Sequence, residues 1–232
     1  PQMALQPPVA SLGRHLGWAP LPTTVAQARP FAAALARERP LPQPARGAVN
    51  APKPVAGPPL LEADALTVSY GRTPVVQDVS LSLFGGEVKV LMGRNGTGKS
   101  TLLKALVGLV APEAGEVWIG GRSTAGLSVA EICREVAYLP QDPSALLFAE
   151  TVMDELAITL RNHEMLAACP PGEREALLAS LGIAHKATAY PRDLSVGERQ
   201  RAALAAILIT RPRVILLDEP TRGLDYAAKG RL

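Results

Sequence analysis

Residues Gly93, Arg94, Asn95, Gly96, Thr97, Gly98, Lys99 and Ser100 fit the phosphate-loop pattern G-x-x-x-x-G-K-[ST] at every fixed position. Glycines let the backbone wrap a polyphosphate closely, so that successive N–H groups point inward. The helix expected to follow from Thr101 to Leu109 adds partial positive charge and unpaired donors at its N-terminus. Lys99 has the reach for the outer phosphates, and the Ser100 hydroxyl is a hard oxygen suited to Mg²⁺. A second piece of chemistry lies 120 residues downstream, where the aliphatic run Val214–Leu217 ends in Asp218 and Glu219. Adjacent carboxylates at a buried strand end are costly unless something uses them. They point to opposite sides of the strand, so Asp218 can hold Mg²⁺ while Glu219 orients and polarises an attacking water. On its own, Asp-Glu-Pro is also an ordinary solvated strand end.

The elements that must position these groups are readable from periodicity. Residues 61–70 and 75–84 alternate in polarity, with turns at Gly71–Pro74 and Gly85–Gly86. The apolar run Val88–Met92 predicts the strand that feeds the phosphate loop, and 116–120 and 136–139 predict two more. Helical segments are expected at about 151–162, 173–181 and 197–209, with a last strand at 213–218 that reads as buried on both faces. Antiparallel hairpins come first, then a parallel α/β core with a helical insert.

Composition bounds the rest. Hydrophobic residues make up 47% of the 232 and aromatics only 4%, so the core must be built from Leu, Val, Ala and Ile. No run reaches the roughly eighteen apolar residues of a membrane span. Cys133 and Cys169 have no metal-ligand spacing and read as reduced thiols. The first 59 residues carry 13 of the 22 prolines and a net charge of +5, which leaves −2 for the remainder. Without an aromatic or basic cluster, this leader reads as a solvated segment and not as a nucleic-acid-binding one. Residues 40–59 predict an extended Pro-rich tether, and 9–17 and 25–35 two short helices.

Leu194, Ser195, Val196, Gly197, Glu198, Arg199, Gln200 and Arg201 open a helix some twenty residues before Asp218. Alone, this segment reads as a capped amphipathic helix, Ser195 as N-cap and Glu198 three residues on. Together with the phosphate loop it resembles the signature of ABC ATPases, with Val196 where the family has its first signature glycine. The resemblance spans residues 60–232. It implies a P-loop NTPase core with a parallel sheet, an N-terminal antiparallel β-subdomain and a helical signature subdomain. It further implies ATP and Mg²⁺ as cofactors. Gly93 to Thr101 would cradle the nucleotide, Tyr70 would stack on adenine, and Ser195, Gly197 and Glu198 would meet the γ-phosphate held by a second ABC ATPase domain. Ser100, Gln141 and Asp218 would serve the metal, and Lys99, Gln141 and Glu219 would serve catalysis. Gly223, Leu224 and Asp225 match the loop that communicates between subunits.

The run from Gln141 to Leu156, with Leu147, Phe148, Ala149, Thr151 and Val152, resembles the ATPase subunits of energy-coupling-factor (ECF) importers. That implies an ATPase on the cytoplasmic face of the plasma membrane, driving uptake of a vitamin or transition metal ion through a transmembrane coupling subunit. On this reading residues 1–39 are the tail of a preceding ATPase domain, 40–59 a linker, and 60–232 the ABC domain. The family's switch histidine is expected beyond the Asp225 loop, past Leu232; His15, His163 and His185 stand elsewhere. A soluble tandem ABC ATPase of translation or DNA repair is the alternative, though such proteins carry insertions, zinc clusters or coiled coils that this sequence does not display.

Overall fold

In the computed structural model, residues 8–38 and 57–221 are described. Most of the Pro-rich stretch and the expected 223–225 loop lie outside them. The chain divides into two units, within 1–53 and 54–232.

The smaller unit holds α1 (Pro8–His15) and α2 (Val25–Glu38). Thr24 and Gln27 cap α2 reciprocally: the Thr24 hydroxyl accepts from the Gln27 N–H and the Gln27 amide oxygen accepts from the Thr24 N–H, both at 3.3 Å. Trp18 stacks on Phe31 with ring centroids 5.4 Å apart.

In the larger unit, β1 (Leu61–Tyr70) and β2 (Thr73–Leu83) form a hairpin, and β3 (Ala114–Ile119) and β4 (Arg122–Ser123) extend it to an antiparallel sheet ordered β2-β1-β3-β4. The alternation of β1 is interrupted by an irregularity between Ala63 and Leu66, where Ala65 takes φ +48. That bulge keeps Leu61, Ala63, Leu66 and Val68 all on the buried face. Gly115 is required opposite it, because a Cβ there would stand 2.4 Å from the Asp64 carbonyl oxygen.

Helix α3 (Lys99–Leu106) buries Leu102, Ala105 and Leu106 against this sheet on one side and against Val136, Val214 and Leu216 on the other. Those last residues belong to β5 (Val136–Leu139) and β6 (Val214–Leu217), which run parallel in the register Val136↔Val214. A short α4 (Val129–Ile132), closed by a Ser128–Glu131 capping box, leads into β5. A second core joins α5 (Val152–Asn162), α6 (Glu173–Ser180) and α7 (Val196–Leu208) through Leu156, Leu160, Leu178, Ile183, Ala202 and Ala205.

Two expectations are corrected. Val88–Met92 forms no strand: the segment has no ladder, and Val88 and Met92 are almost wholly exposed. A strand needs a neighbour for its N–H and C=O groups, and none of the described strands pairs with this one. It faces β6 across a cleft of ≈ 680 Å³. β6 is fully buried on one face only: Val214 and Leu216 are covered, whereas Ile215 and Leu217, about 40% exposed, line the cleft.

Candidate functional site

The phosphate loop is shaped by its glycines. Gly98 has φ +87, and a Cβ on it would lie 2.6 Å from the Val75 carbonyl oxygen, so no other residue fits without moving β2. Gly98 is also the N-cap of α3 and supplies no side-chain acceptor, which leaves the first N–H groups of the helix for another partner. The loop is otherwise closed on itself. Thr97 Oγ1 donates to the Arg94 carbonyl at 2.8 Å, and Lys99 Nζ donates to the carbonyls of Gly93 and Arg94, both at 2.9 Å.

These elements border a pocket of ≈ 340 Å³ lined by Val75, Asn95, Gly96, Gly98, Lys99, Ser100, Thr101, Gln141 and Glu219. Residues from opposite ends of the domain thus meet at one place. Gln141 follows β5 and Glu219 follows β6, so the parallel pairing of those strands delivers both side chains to the same end. Gln141 Nε2 donates to Glu219 Oε2 at 3.2 Å. Glu219 sits at φ +49 directly before Pro220, a backbone state that bulky residues seldom hold and that recurs where function demands it.

Asp218 is buried, 4% exposed, and lines the adjoining cleft with Lys99. Its N–H donates to the Leu139 carbonyl at 2.9 Å, and its Oδ2 accepts from the Tyr138 hydroxyl at 3.4 Å. Burial, then the Asp218 charge beside it, pushes the Tyr138 phenol up to about 12, so it stays a donor. The donors here are hard oxygens, which suits Mg²⁺. Among the described residues no group of three His, Cys, Asp or Glu could hold a metal. A cation would therefore depend on phosphate oxygens as well as on Ser100, Gln141 and Asp218. The residues fit Mg²⁺ bound together with a nucleotide.

Tyr70, Ser195, Gly197 and Glu198 do not line the pocket. Tyr70 stands at the tip of β1, half exposed. Ser195 caps α7 in the box anticipated from the sequence: Glu198 Oε2 accepts from the Ser195 N–H at 2.9 Å and from its hydroxyl at 2.7 Å. The Ser195 hydrogen bonds, with Lys186 nearby, hold the Glu198 carboxyl down at about 2. Val196 is exposed and turns toward a second recess with Gln141 and Ser144. Two neighbours of the site were not anticipated. Tyr138 looked like an ordinary strand residue. Arg199 ties α7 to the loop after Gln141, donating to Ser144 Oγ at 3.3 Å and to the carbonyls of Arg192 at 2.9 Å and Leu194 at 3.0 Å. Nothing in the local pattern marks Tyr138, and the signature-like stretch contains Arg199 without pointing to these partners.

A β-subdomain, a P-loop α/β core and a helical subdomain opened by a capped signature helix define the ABC ATPase fold. Solved structures agree. CbiO1 from Clostridium perfringens, part of the ABC transporter complex CbiONQ, superposes with TM-score 0.64 at 26% identity, over 75% of this chain and 70% of that one. A second solved structure, of the ATP-binding subunit of an ABC transporter, gives TM-score 0.64 at 28% identity, over 74% of this chain and 71% of that one. The ABC transporter family profile matches residues 76–222. A Streptomyces avermitilis protein named as an ABC transporter ATP-binding protein is 43% identical over 97% of the chain and 44% of its own length. An Archaeoglobus fulgidus protein of the same description is 37% identical over 73% of this chain and 72% of its own. The chain belongs to the ABC transporter ATP-binding family. It spans less than half the length of the Streptomyces relatives.

Proposed function

We propose that this chain binds Mg·ATP and hydrolyses it to drive uptake of a micronutrient, a vitamin or a transition metal ion, through a transmembrane partner, from the cytoplasmic face of the plasma membrane. The observation that carries the reading is the convergence of the phosphate loop, Gln141 and Glu219 on one pocket. Lys99 exchanges its two loop carbonyls for the β- and γ-phosphates, and the N–H groups at the start of α3 hold the same anions. Glu219 orients the water that attacks the γ-phosphate and Gln141 steadies Glu219; the work is positioning and charge neutralisation. Mg²⁺, held by Ser100, Gln141 and Asp218, would neutralise phosphate charge when bound.

Ser195, Gly197 and Glu198 lie away from this pocket, which suits contact with the nucleotide of a second ATPase domain. The Streptomyces relatives are long enough to contain one. The ECF branch is favoured by the run from Gln141 to Leu156. Its Phe148 is 81% exposed, an apolar ring that a membrane subunit's helix would cover. Among the described residues no helix is long and apolar enough to cross a membrane.

The test separates binding from turnover. Lys99→Ala is expected to lose ATP binding, since the loop's phosphate-facing cation is gone. Glu219→Gln is expected to keep binding while turnover falls about 10²–10⁴-fold. Equal loss of binding in both variants would overturn the assignment of roles.

A further inference from the structure

The Glu155 carboxylate lies on the first turn of α5, inside the helical core and 3% exposed. A buried charge is costly unless it is paired or hydrogen bonded. Among the described residues no Lys, Arg or His forms an ion pair with it. A single oxygen, Oε2, instead accepts the backbone N–H of Phe148 at 2.6 Å and that of Ala149 at 2.7 Å. Capping of α5 does not need Glu155. Thr151 accepts the Asp154 N–H at 3.0 Å, and its hydroxyl donates to Asp154 Oδ2 at 2.6 Å.

What the two bonds accomplish is visible in the side chains around them. Leu147 and Ala149 turn into the core, 7% and 6% exposed, while the Phe148 ring between them stands in solvent. On the near side, Asp142 caps the 3-10 turn Pro143–Leu146 by accepting the Ser144 N–H at 2.9 Å. The strip is therefore fixed at both ends with one large apolar group displayed. Fixing a contact group in its bound geometry lowers the ordering cost of association.

We propose that Glu155 is a positioning residue: its carboxylate pins the backbone of Phe148 and Ala149 so that the Phe148 ring is presented in one orientation to the transmembrane partner. This rests on the transporter reading above and adds the residue that sets the geometry of the contact. Aspartate at 155 keeps the charge but is a methylene too short to reach both N–H groups. Glutamine keeps an oxygen at the same reach.

The experiment uses the full-length protein alone and in the intact transporter complex purified from its own membranes. It measures amide exchange at residues 148 and 149, basal ATP turnover, and the turnover of the complex. In the wild type both amides are expected to be protected although the loop is at the surface. Glu155→Asp is expected to speed their exchange about tenfold and to cut the complex's stimulated turnover by a similar factor, with basal turnover within about twofold. Glu155→Gln is expected to stay near wild type in all three. Unprotected amides in the wild type would overturn the proposal without any variant having to fold. Unchanged exchange in Glu155→Asp, faster exchange with undiminished stimulation, or equal losses in the Asp and Gln variants would also overturn it. Phe148→Ala separates the two readings. If it leaves stimulation intact, the partner contact itself fails. If it abolishes stimulation while Glu155→Asp does not, only the positioning role fails.

Discussion

Helices α3 and α7 begin in opposite ways. The N-terminus of α3 is headed by Gly98, which offers no acceptor, so its first N–H groups face the pocket. The N-terminus of α7 is headed by Ser195 and closed by Glu198, two residues that satisfy each other and place a carboxylate where an anion would approach. Both ends carry the same helix dipole. What differs is whether the chain has already used the donors. An open N-terminus is an anion site as it stands. A self-capped one must first release its own carboxylate, or let the anion contact only the hydroxyl and the Gly197 backbone. On the reading of a nucleotide shared between two domains, α3 holds phosphate by itself and α7 takes part only when the second domain brings it phosphate.

The comparison breaks most sharply at Gly98. Gly98→Ala would place a Cβ 2.6 Å from the Val75 carbonyl at φ +87, so the loop has to shift away from β2. ATP affinity is expected to fall about thirtyfold or more, by isothermal titration, since the lost N–H geometry and left-handed strain together reach about 2 kcal/mol. Wild-type affinity in that variant would show that α3 is not the open site. Ser195→Ala tests the other helix. Removing the cap acceptor is expected to cost about 1 kcal/mol of stability in denaturant unfolding and to leave nucleotide binding by the isolated chain unchanged.

The smallest effect is the pH dependence of the Glu198 cap. Its folded pKa is depressed from 4.5 to about 2, so its contribution is complete above about 4.5 and is lost as pH falls through about 2. Melting temperature is expected to drop across that window less steeply in Glu198→Gln than in the wild type. Identical slopes would mean the carboxylate is not held by Ser195 in solution.

What the sequence disclosed, and what it concealed, follows the range of the interactions. Gly93–Ser100, Asp218 with Glu219, and the Ser195–Glu198 box are local patterns, and each is legible as a run of residues. The periodicities of β1 and of α5 to α7 are local too, and those elements lie close to where the patterns place them. Val88–Met92 reads as a strand and is not one, because β-propensity describes a segment, whereas a strand exists only with a neighbour. The one-sided burial of β6 is a tertiary outcome as well, since an all-aliphatic run does not say whether both of its faces will be covered. The bulge at Ala65 and its dependence on Gly115, fifty residues away, has no signature in either segment. Glu155 was hidden for a related reason: a glutamate in the first turn of a helix looks like a solvated charge that favours the dipole. Only the folded loop reveals two amides waiting for it.

The unpaired Val88–Met92 segment also bears on how the protein behaves in concentrated solution. A β-prone apolar run that pairs with none of the described strands is a template on which another chain can add a strand. Lys89 interrupts that run. Its ammonium reaches the Ser82 carbonyl and lies 3.4 Å from the Glu87 carboxylate, so a charge is anchored in the middle of the adhesive stretch. Such a charge acts as a gatekeeper against self-assembly. Lys89→Val is therefore expected to raise light scattering of the concentrated protein, and unchanged scattering would show that this charge does not guard the segment.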